Sequence, residues 1–251
     1  MELGRILVAA DGSHESEHAL RIGMLLAGRS GASLAVVRVR EPGDPASDAT
    51  AQSSGVPLTF QRDGVPGIEI ARCAQQWRAD LVVLGRNQVS TPELGATTQM
   101  VLRRHQGQTL LVPRGIASFD RILYALDGSE RGLGILNKGG HFPGVTGGTP
   151  MAVCVLPPDS VDPTPGAGWP HPRFIRVESA MSERPDLGGL GALAMRWGEP
   201  VSEVLRHLAE TAANLLILGL RQGGPRGDPG SGHVARDLLH SVPTAILTVP
   251  I

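Results

Sequence analysis

The sequence predicts an α/β fold of two tandem open-sheet domains, and three observations support this prediction. Short apolar runs of strand type alternate with helical segments along the chain. These segments recur later in the chain in the same order, and similar residues follow each of them. For example, RILVAADGS in the first half corresponds to RILYALDGS in the second. The repeated pairs are 5–13 with 121–129, 80–85 with 214–219, and 108–113 with 244–250. The first pair is spaced by 116 residues, which indicates a duplicated domain rather than a solenoid repeat.

The first copy, residues 1–115, is predicted to contain five strands and three helices. Ser13 follows the first strand as a helix N-cap, and apolar residues then recur at helical spacing. The run at 41–55 has no such periodicity and predicts a loop. The predicted strands are 5–10, 33–39, 57–63, 80–85 and 108–113, and the later helices are centred near 70–77 and at 97–105.

The second copy, residues 116–251, has the same order with a Pro/Gly-rich insertion at about 157–190. Within this insertion Phe174, Val177 and Met181 predict one short helix. The predicted strands are 121–126, 151–156, 193–197, 215–219 and 244–250. Strands that alternate with helices imply right-handed crossovers and a mostly parallel five-stranded sheet flanked by helices in each copy.

Composition excludes several classes of function. The formal net charge of −1 argues against a protein that binds nucleic acid or an anionic membrane through bulk charge. The apolar run near the N-terminus, ILVAA, is too short for a signal segment or a membrane span. Cys73 and Cys154 occupy unrelated positions of the two copies, which predicts unpaired thiols in a reducing compartment. We therefore expect a cytoplasmic protein.

Open parallel sheets bind ligands beyond the carboxyl ends of their strands, at the point where the strand order reverses. Asp11 and Gly85 follow the first and fourth strands of the first copy, and Asp127 and Gly219 occupy these positions in the second. The carboxyl edge of each sheet is therefore the predicted ligand site.

The chain resembles the universal stress proteins in their tandem, two-domain form. The resemblance rests on VAADGS and YALDGSE after the first strand, and on ADLVVLG and ANLLILG at the fourth. It also rests on the closing stretches GATTQMVLRRHQGQTLLVP and GHVARDLLHSVPTAILTVP. It implies a stress-response protein with the adenine-nucleotide α hydrolase-like sheet, whose two copies are related by a pseudo-twofold axis.

The resemblance also implies a site for ATP or AMP, with Mg²⁺ present only alongside ATP. The Asp after the first strand would contact adenine and ribose, and a glycine loop with the next helix N-terminus would hold the phosphates. The residues implied in the second copy are Leu126, Asp127, Val155, Gly219, Arg221, Gly223, Gly232 and His233. Those implied in the first copy are Ala10, Asp11, Val39, Gly85, Gly95, Ala96 and Thr97.

Both copies depart from the family loop, which reads G-x-x-G, nine residues, then G-[S/T]. In the second copy Gly219 and Gly232 have the family spacing of thirteen, but Gln222 replaces the middle glycine and His233 the Ser/Thr. In the first copy the corresponding glycines are only ten residues apart, and Ala96 stands at the Ser/Thr position. The second copy is therefore the favoured nucleotide site.

Three alternatives remain open on the sequence alone. Asp11 and Asp127 could simply cap turns, since Asp-Gly-Ser is a good strand-to-helix turn by itself. Both sites could have decayed, which would leave a scaffold that acts through protein–protein contacts. An enzyme is a further alternative, but no catalytic residue stands out and at most slow ATP hydrolysis is expected. The metal-like spacing of His14 and His18 lacks a third ligand, so no metal site is predicted.

In the family the last strands of two protomers pair to build a dimer. The resemblance therefore predicts that 108–113 and 244–250 pair within one chain as an intramolecular pseudo-dimer. Whether two chains then associate as a homodimer is left open.

Overall fold

The structure is a computed structural model that describes residues 3–41, 58–86, 94–156, 171–187, 193–221 and 233–251. Its contacts divide the described chain into an N-terminal unit, which ends at Ala117, and a C-terminal unit, which begins at Ser118. The sequence prediction placed this division between residues 115 and 116. The predicted pairing of 108–113 with 244–250 stays a prediction.

The N-terminal unit is a parallel sheet with the strand order β3-β2-β1-β4-β5. Its strands are β1 Arg5–Ala9, β2 Ser33–Arg40, β3 Thr59–Asp63, β4 Leu81–Arg86 and β5 Gln108–Pro113. Its helices are α1 His14–Ser30, α2 Pro66–Trp77 and α3 Ala96–Arg104.

The C-terminal unit has the matching parallel order β10-β9-β6-β7-β8. Its strands are β6 Arg121–Leu126, β7 Thr149–Leu156, β8 Leu193–Trp197, β9 Leu215–Leu220 and β10 Ala245–Pro250. Its helices are α4 Glu130–Gly139, α5 Phe142–Thr146, α6 Pro172–Ser182, α7 Pro200–Thr211 and α8 His233–Ser241, with a 3₁₀ turn at Pro185–Leu187.

The predicted α/β fold with mostly parallel sheets is confirmed. The short helix predicted around Val177 is also confirmed as α6, but α5 and the 3₁₀ turn were not predicted because each is too short for a periodic pattern. Strand β3 begins at Thr59, two residues later than predicted, and α3 begins at Ala96, one residue earlier. Boundaries at this level depend on tertiary contacts that a local pattern does not contain.

The two units differ systematically along their edge strands β3 and β8. Register places Thr59 beside Val36 and Leu193 beside Ala152, which are equivalent positions of the two copies. Thr59 and Leu193 thus lie on equivalent faces of the two sheets. On this face β3 has the exposed polar residues Thr59 and Gln61, whereas β8 has the partly buried Leu193 and Met195.

Helix α6 explains this difference, because it contacts β8 and buries Val177 and Met181 completely. The sequence of each edge strand therefore matches its surroundings: apolar beside a helix, and polar where the strand faces solvent. The matching helix was predicted to be lost from the first copy at 41–55, and all but Glu41 of that segment lies outside the described residues.

Burial of His105 predicts a loss of stability in mild acid. This side chain is only 6% exposed, and burial lowers its pKa to about 4. Between about pH 6.5 and pH 4 the unfolded chain takes up a proton at this position while the folded chain does not, so stability falls as the pH falls.

The expected loss is about 2 kcal/mol between pH 7 and pH 5. Urea unfolding at both pH values measures it in the wild type and in His105→Gln, which has no imidazole to protonate. The variant is expected to lose correspondingly less stability over this interval. An equal loss in both proteins would rule out His105 as the cause.

Candidate functional site

The same turn follows β1 and β6, and it is built by an Asp and a Ser two residues later. Oδ1 of Asp127 accepts hydrogen bonds from the Ser129 backbone N–H at 2.9 Å and from its hydroxyl at 2.7 Å. Oδ1 of Asp11 accepts the equivalent bonds from Ser13 at 2.9 and 2.5 Å. These bonds hold each carboxylate at the carboxyl end of its strand.

Each of these serines also caps the following helix, as the sequence predicts. Ser129 Oγ accepts a hydrogen bond from the Gly132 N–H at 2.9 Å, and Ser13 Oγ accepts one from Ser16 at 3.2 Å. In the described part of the chain, Oδ2 of Asp127 accepts no hydrogen bond. The turn-forming role and a ligand-binding role of Asp127 are therefore compatible, because they use different oxygen atoms.

Local hydrogen bonding keeps Asp11 ionised. Partial burial pushes its pKa up, but the hydrogen bonds from the Ser13 hydroxyl and backbone outweigh this effect and hold the pKa below its ordinary value. At neutral pH this side chain is a carboxylate. Its second oxygen, Oδ2, is therefore an acceptor for hydrogen bonds from hydroxyl or amino groups.

The two turns lie where each sheet reverses its strand order. Strand β6 lies between β7 and β9, and the register pairs Leu126 with Cys154 near this edge. Leu126 and Val155 are 4% and 5% exposed, so both are buried apolar residues near the carboxyl ends of β6 and β7. In the N-terminal unit Ala10 is buried, Val39 is half-buried, and β1 lies between β2 and β4.

Gly85 and Gly219, each one residue before the end of β4 or β9, make room for other parts of their own units. A Cβ placed on Gly85 would lie 2.5 Å from the carbonyl carbon and 2.6 Å from the oxygen of Glu15, in the first turn of α1. A Cβ placed on Gly219 would meet only side chains, with Ile251 Cδ1 at 2.6 Å and Ile135 Cδ1 at 3.1 Å. Gly85 therefore permits close packing of helix on strand, in addition to any ligand role.

Helix α6 covers the turn of the C-terminal unit. Gly128 is buried, and a Cβ placed on it would lie 2.5 Å from the Cβ of Arg173. The Arg176 guanidinium donates a hydrogen bond to the Gly128 carbonyl at 2.8 Å. Gly12, the equivalent residue of the N-terminal unit, is exposed, and a Cβ there would meet nothing within 4 Å. Helix α6 therefore forms a wall beside the C-terminal turn. Among the described residues, the N-terminal turn has no such wall.

The buried thiol of Cys154 lies on β7 beside Leu126, the residue that precedes Asp127. Burial, together with the negative charge of Asp127 and against the positive charge of Arg173, raises the pKa of the Cys154 thiol to about 11. The high pKa makes this buried thiol unreactive, as expected for a packing residue.

The helices that begin beyond β4 and β9 present N-termini suited to anions. Helix α3 begins after Gly95, which offers no side-chain cap, and the first turns of α3 and α8 contain no acidic residue. Ala96 and His233 are exposed at these N-termini, and Thr97 is half-buried. Unpaired N–H groups and the helix dipole favour a negatively charged group at such positions.

Part of the predicted site falls outside the described residues. Gly223 and Gly232 of the loop after β9 belong to this part, whereas Arg221 is described and exposed. Sequence reasoning missed Arg173 and Arg176, because neither belongs to a motif and both reach Gly128 only through the fold. The only feature of the sequence that could have pointed to these two arginines is their position on the predicted short helix.

In the described ranges, no group of three or more His, Cys, Asp and Glu side chains is placed to hold a metal ion. No helix among them is long and apolar enough to cross a membrane.

The fold is that of an α/β protein with a parallel sheet flanked by helices in each of two duplicated units. The chain belongs to the Universal stress protein family, whose model matches residues 2–62 and 118–250. No curated protein matches the sequence.

Several solved structures share the fold over the whole chain. A universal stress protein from Archaeoglobus fulgidus DSM 4304 is 16% identical with a TM-score of 0.78, over 100% of this chain and 99% of its own. A putative universal stress protein from Pseudomonas aeruginosa UCBPP-PA14 is 17% identical with a TM-score of 0.77, over 99% and 93% of the two chains. At these identities the likeness concerns the fold alone.

Proposed function

We propose that this universal stress family member binds one adenine nucleotide, ATP or AMP, at the carboxyl edge of its C-terminal unit. The observation that carries the proposal is the Asp127 turn, which is fixed by Ser129 and lies against α6, and in which one carboxylate oxygen accepts no hydrogen bond from the described residues. A cytoplasmic role in the stress response fits the two buried, unpaired thiols.

Each part of the nucleotide has a matching chemical group at this edge. Oδ2 of Asp127 would accept hydrogen bonds from ribose hydroxyls, and the apolar residues Leu126 and Val155 at the strand ends would contact the base. The N-terminus of α8 and the guanidinium of Arg221 would face the phosphates. A Mg²⁺ ion would arrive with ATP, since its phosphate oxygens supply ligands that the protein need not provide.

The N-terminal unit is the poorer candidate. No described residue forms a wall at Gly12, and the stretch between Gly85 and Gly95 is three residues shorter than the stretch between Gly219 and Gly232. We propose no catalytic residue, and any ATP hydrolysis would be slow. The second candidate function is that of a scaffold protein that binds no nucleotide. Both copies lack the middle glycine of the family loop, and this loss favours the scaffold function.

Asp127→Ala is expected to abolish stabilisation by nucleotide, whereas Asp11→Ala is expected to leave it intact. Millimolar ATP should raise the Tm of the wild type and of Asp11→Ala, because a ligand that binds only the folded state stabilises it. Differential scanning fluorimetry measures the shift, and analysis of the supernatant of denatured protein tests for nucleotide retained during purification. No shift together with no release in the wild type would leave the scaffold function.

A further inference from the structure

The peptide group between Gly128 and Ser129 links the Asp127 turn to helix α6. Its carbonyl oxygen accepts a hydrogen bond of 2.8 Å from Nη1 of Arg176, and its N–H donates one of 2.9 Å to Oδ1 of Asp127. Because a peptide group is planar, the direction of its carbonyl fixes the direction of its N–H. The position of the Arg176 guanidinium is therefore transmitted to the Asp127 carboxylate through one rigid group.

The guanidinium of Arg176 is well suited to hold this peptide group. It stays charged at neutral pH, and a charged donor makes a stronger hydrogen bond than a neutral donor does. Hydrogen bonds in a chain polarise one another, so the bond from Arg176 also strengthens the bond between the Ser129 N–H and Asp127. No carboxylate of the described residues forms an ion pair with Arg176, which leaves the Gly128 carbonyl as its acceptor in that part of the chain.

Helix α6 is itself anchored, so it gives Arg176 a fixed support. At its start, Nδ1 of His171 accepts a hydrogen bond of 3.2 Å from the Arg173 N–H and caps the helix. On its inner face, Val177 and Met181 are completely buried, and the helix contacts β8. The hydrogen bond from Arg176 to the turn therefore joins two well-packed parts of the C-terminal unit.

The N-terminal unit has the same turn without this additional hydrogen bond. Gly12 and Gly128 both have a positive φ, of 82° and 69°, and the Ser13 N–H donates to Asp11 at 2.9 Å as its counterpart does to Asp127. The carbonyl of Gly12, however, accepts no hydrogen bond from the described residues, and Gly12 is exposed. Within the described chain, the bond from α6 thus distinguishes the two turns.

We propose that Arg176 is a positioning residue of the nucleotide site, which orients the Asp127 carboxylate for the ribose hydroxyls. This inference rests on the proposed function. Ser129 occupies Oδ1 of Asp127, so Oδ2 is the oxygen that remains for the ribose. A carboxylate that is oriented before the ligand arrives loses less freedom on binding, which raises the affinity. Because Arg176 acts at the ribose, its contribution is the same for adenosine, AMP and ATP.

Isothermal titration of the full chain with adenosine, AMP and ATP measures this contribution. Arg176→Met keeps a long unbranched side chain but removes the donor, and it is expected to weaken binding of all three ligands by about tenfold. Arg176→Lys keeps a charged donor and is expected to restore most of the affinity. Arg131→Met is the matched control, because Arg131 is exposed on the first turn of α4 and makes no hydrogen bond to Gly128. It removes the same charge and should bind like the wild type.

Hydrogen exchange at the Ser129 amide tests the positioning role in the ligand-free protein. Arg176→Met is expected to accelerate this exchange by about tenfold, because the peptide group loses one of its two fixed ends. The Ser13 amide of the N-terminal unit should exchange at the same rate in the variant and in the wild type. An unchanged rate at Ser129 would overturn the positioning role whatever the nucleotide affinity is.

The titrations distinguish failure of this role from failure of the proposed function. The role of Arg176 is overturned, and nucleotide binding stands, if Arg176→Met binds ATP as tightly as Arg131→Met does. It is also overturned if Arg176→Met weakens ATP much more than adenosine, as loss of a direct phosphate contact would. A wild type that binds none of the three ligands would overturn the proposed function and the role of Arg176 with it.

Discussion

Replacing Gly85 with alanine is expected to destabilise the protein by about 3 kcal/mol. The added Cβ would lie 2.5 and 2.6 Å from backbone atoms of Glu15, and these atoms belong to the first turn of α1. Backbone in a helix has no rotamer by which it can move aside, so α1 must shift away from β4. Urea unfolding followed by circular dichroism measures the change.

Gly219→Ala is the matched control in the other unit. Its added Cβ would meet only the ends of the Ile251 and Ile135 side chains, which can change rotamer at small cost. We expect a loss of about 1 kcal/mol. Equal losses at the two glycines would contradict the assignment of Gly85 as a helix-on-strand contact.

Replacing Met181 with alanine is expected to cost about 3 kcal/mol in the C-terminal unit. Met181 is completely buried and, with Val177, forms the buried face of α6. Its removal leaves a cavity beneath the helix that also holds Arg173 and Arg176 against Gly128. The variant should therefore weaken nucleotide stabilisation as well as lower Tm.

Ile175→Ala is the control on the same helix, because Ile175 is 46% exposed. Its effect on Tm should correspond to less than about 0.5 kcal/mol. If both variants lose the same stability, α6 is not anchored by its buried face, and the wall over Asp127 is not a fixed part of the unit.

Much of the fold could be predicted because its determinants are local. Ser13 and Ser129 are helix caps in the structure as in the prediction, since Asp-Gly-Ser forms the turn through contacts within three residues. The buried face of α1 at Ala19, Ile22 and Leu26 follows from helical spacing alone. The parallel order of the strands follows from the alternation of strands and helices.

The site was harder to predict because its decisive contacts join distant parts of the chain. Arg176 reaches the carbonyl of Gly128 across 48 residues, and no local pattern encodes that contact. Gly85 was predicted from the family loop, yet the structure shows that it also accommodates the first turn of α1. A glycine in a motif can thus have a packing role that the motif does not reveal.

The duplication has preserved the turns and changed their surroundings. Asp11 and Asp127 make the same pair of hydrogen bonds, but in the described chain only the Asp127 turn lies against an adjoining helix, through Gly128. The polar residues of β3 and the apolar residues of β8 show that this difference extends into the sheet. On this account the two units have come to differ in role, with the nucleotide bound in the C-terminal unit alone.

Isothermal titration of the full chain with ATP and Mg²⁺ tests the central claim most directly. The account predicts one binding site per chain, which is lost in Asp127→Ala and retained in Asp11→Ala. Two sites per chain, no site, or a single site that is lost in Asp11→Ala would contradict it.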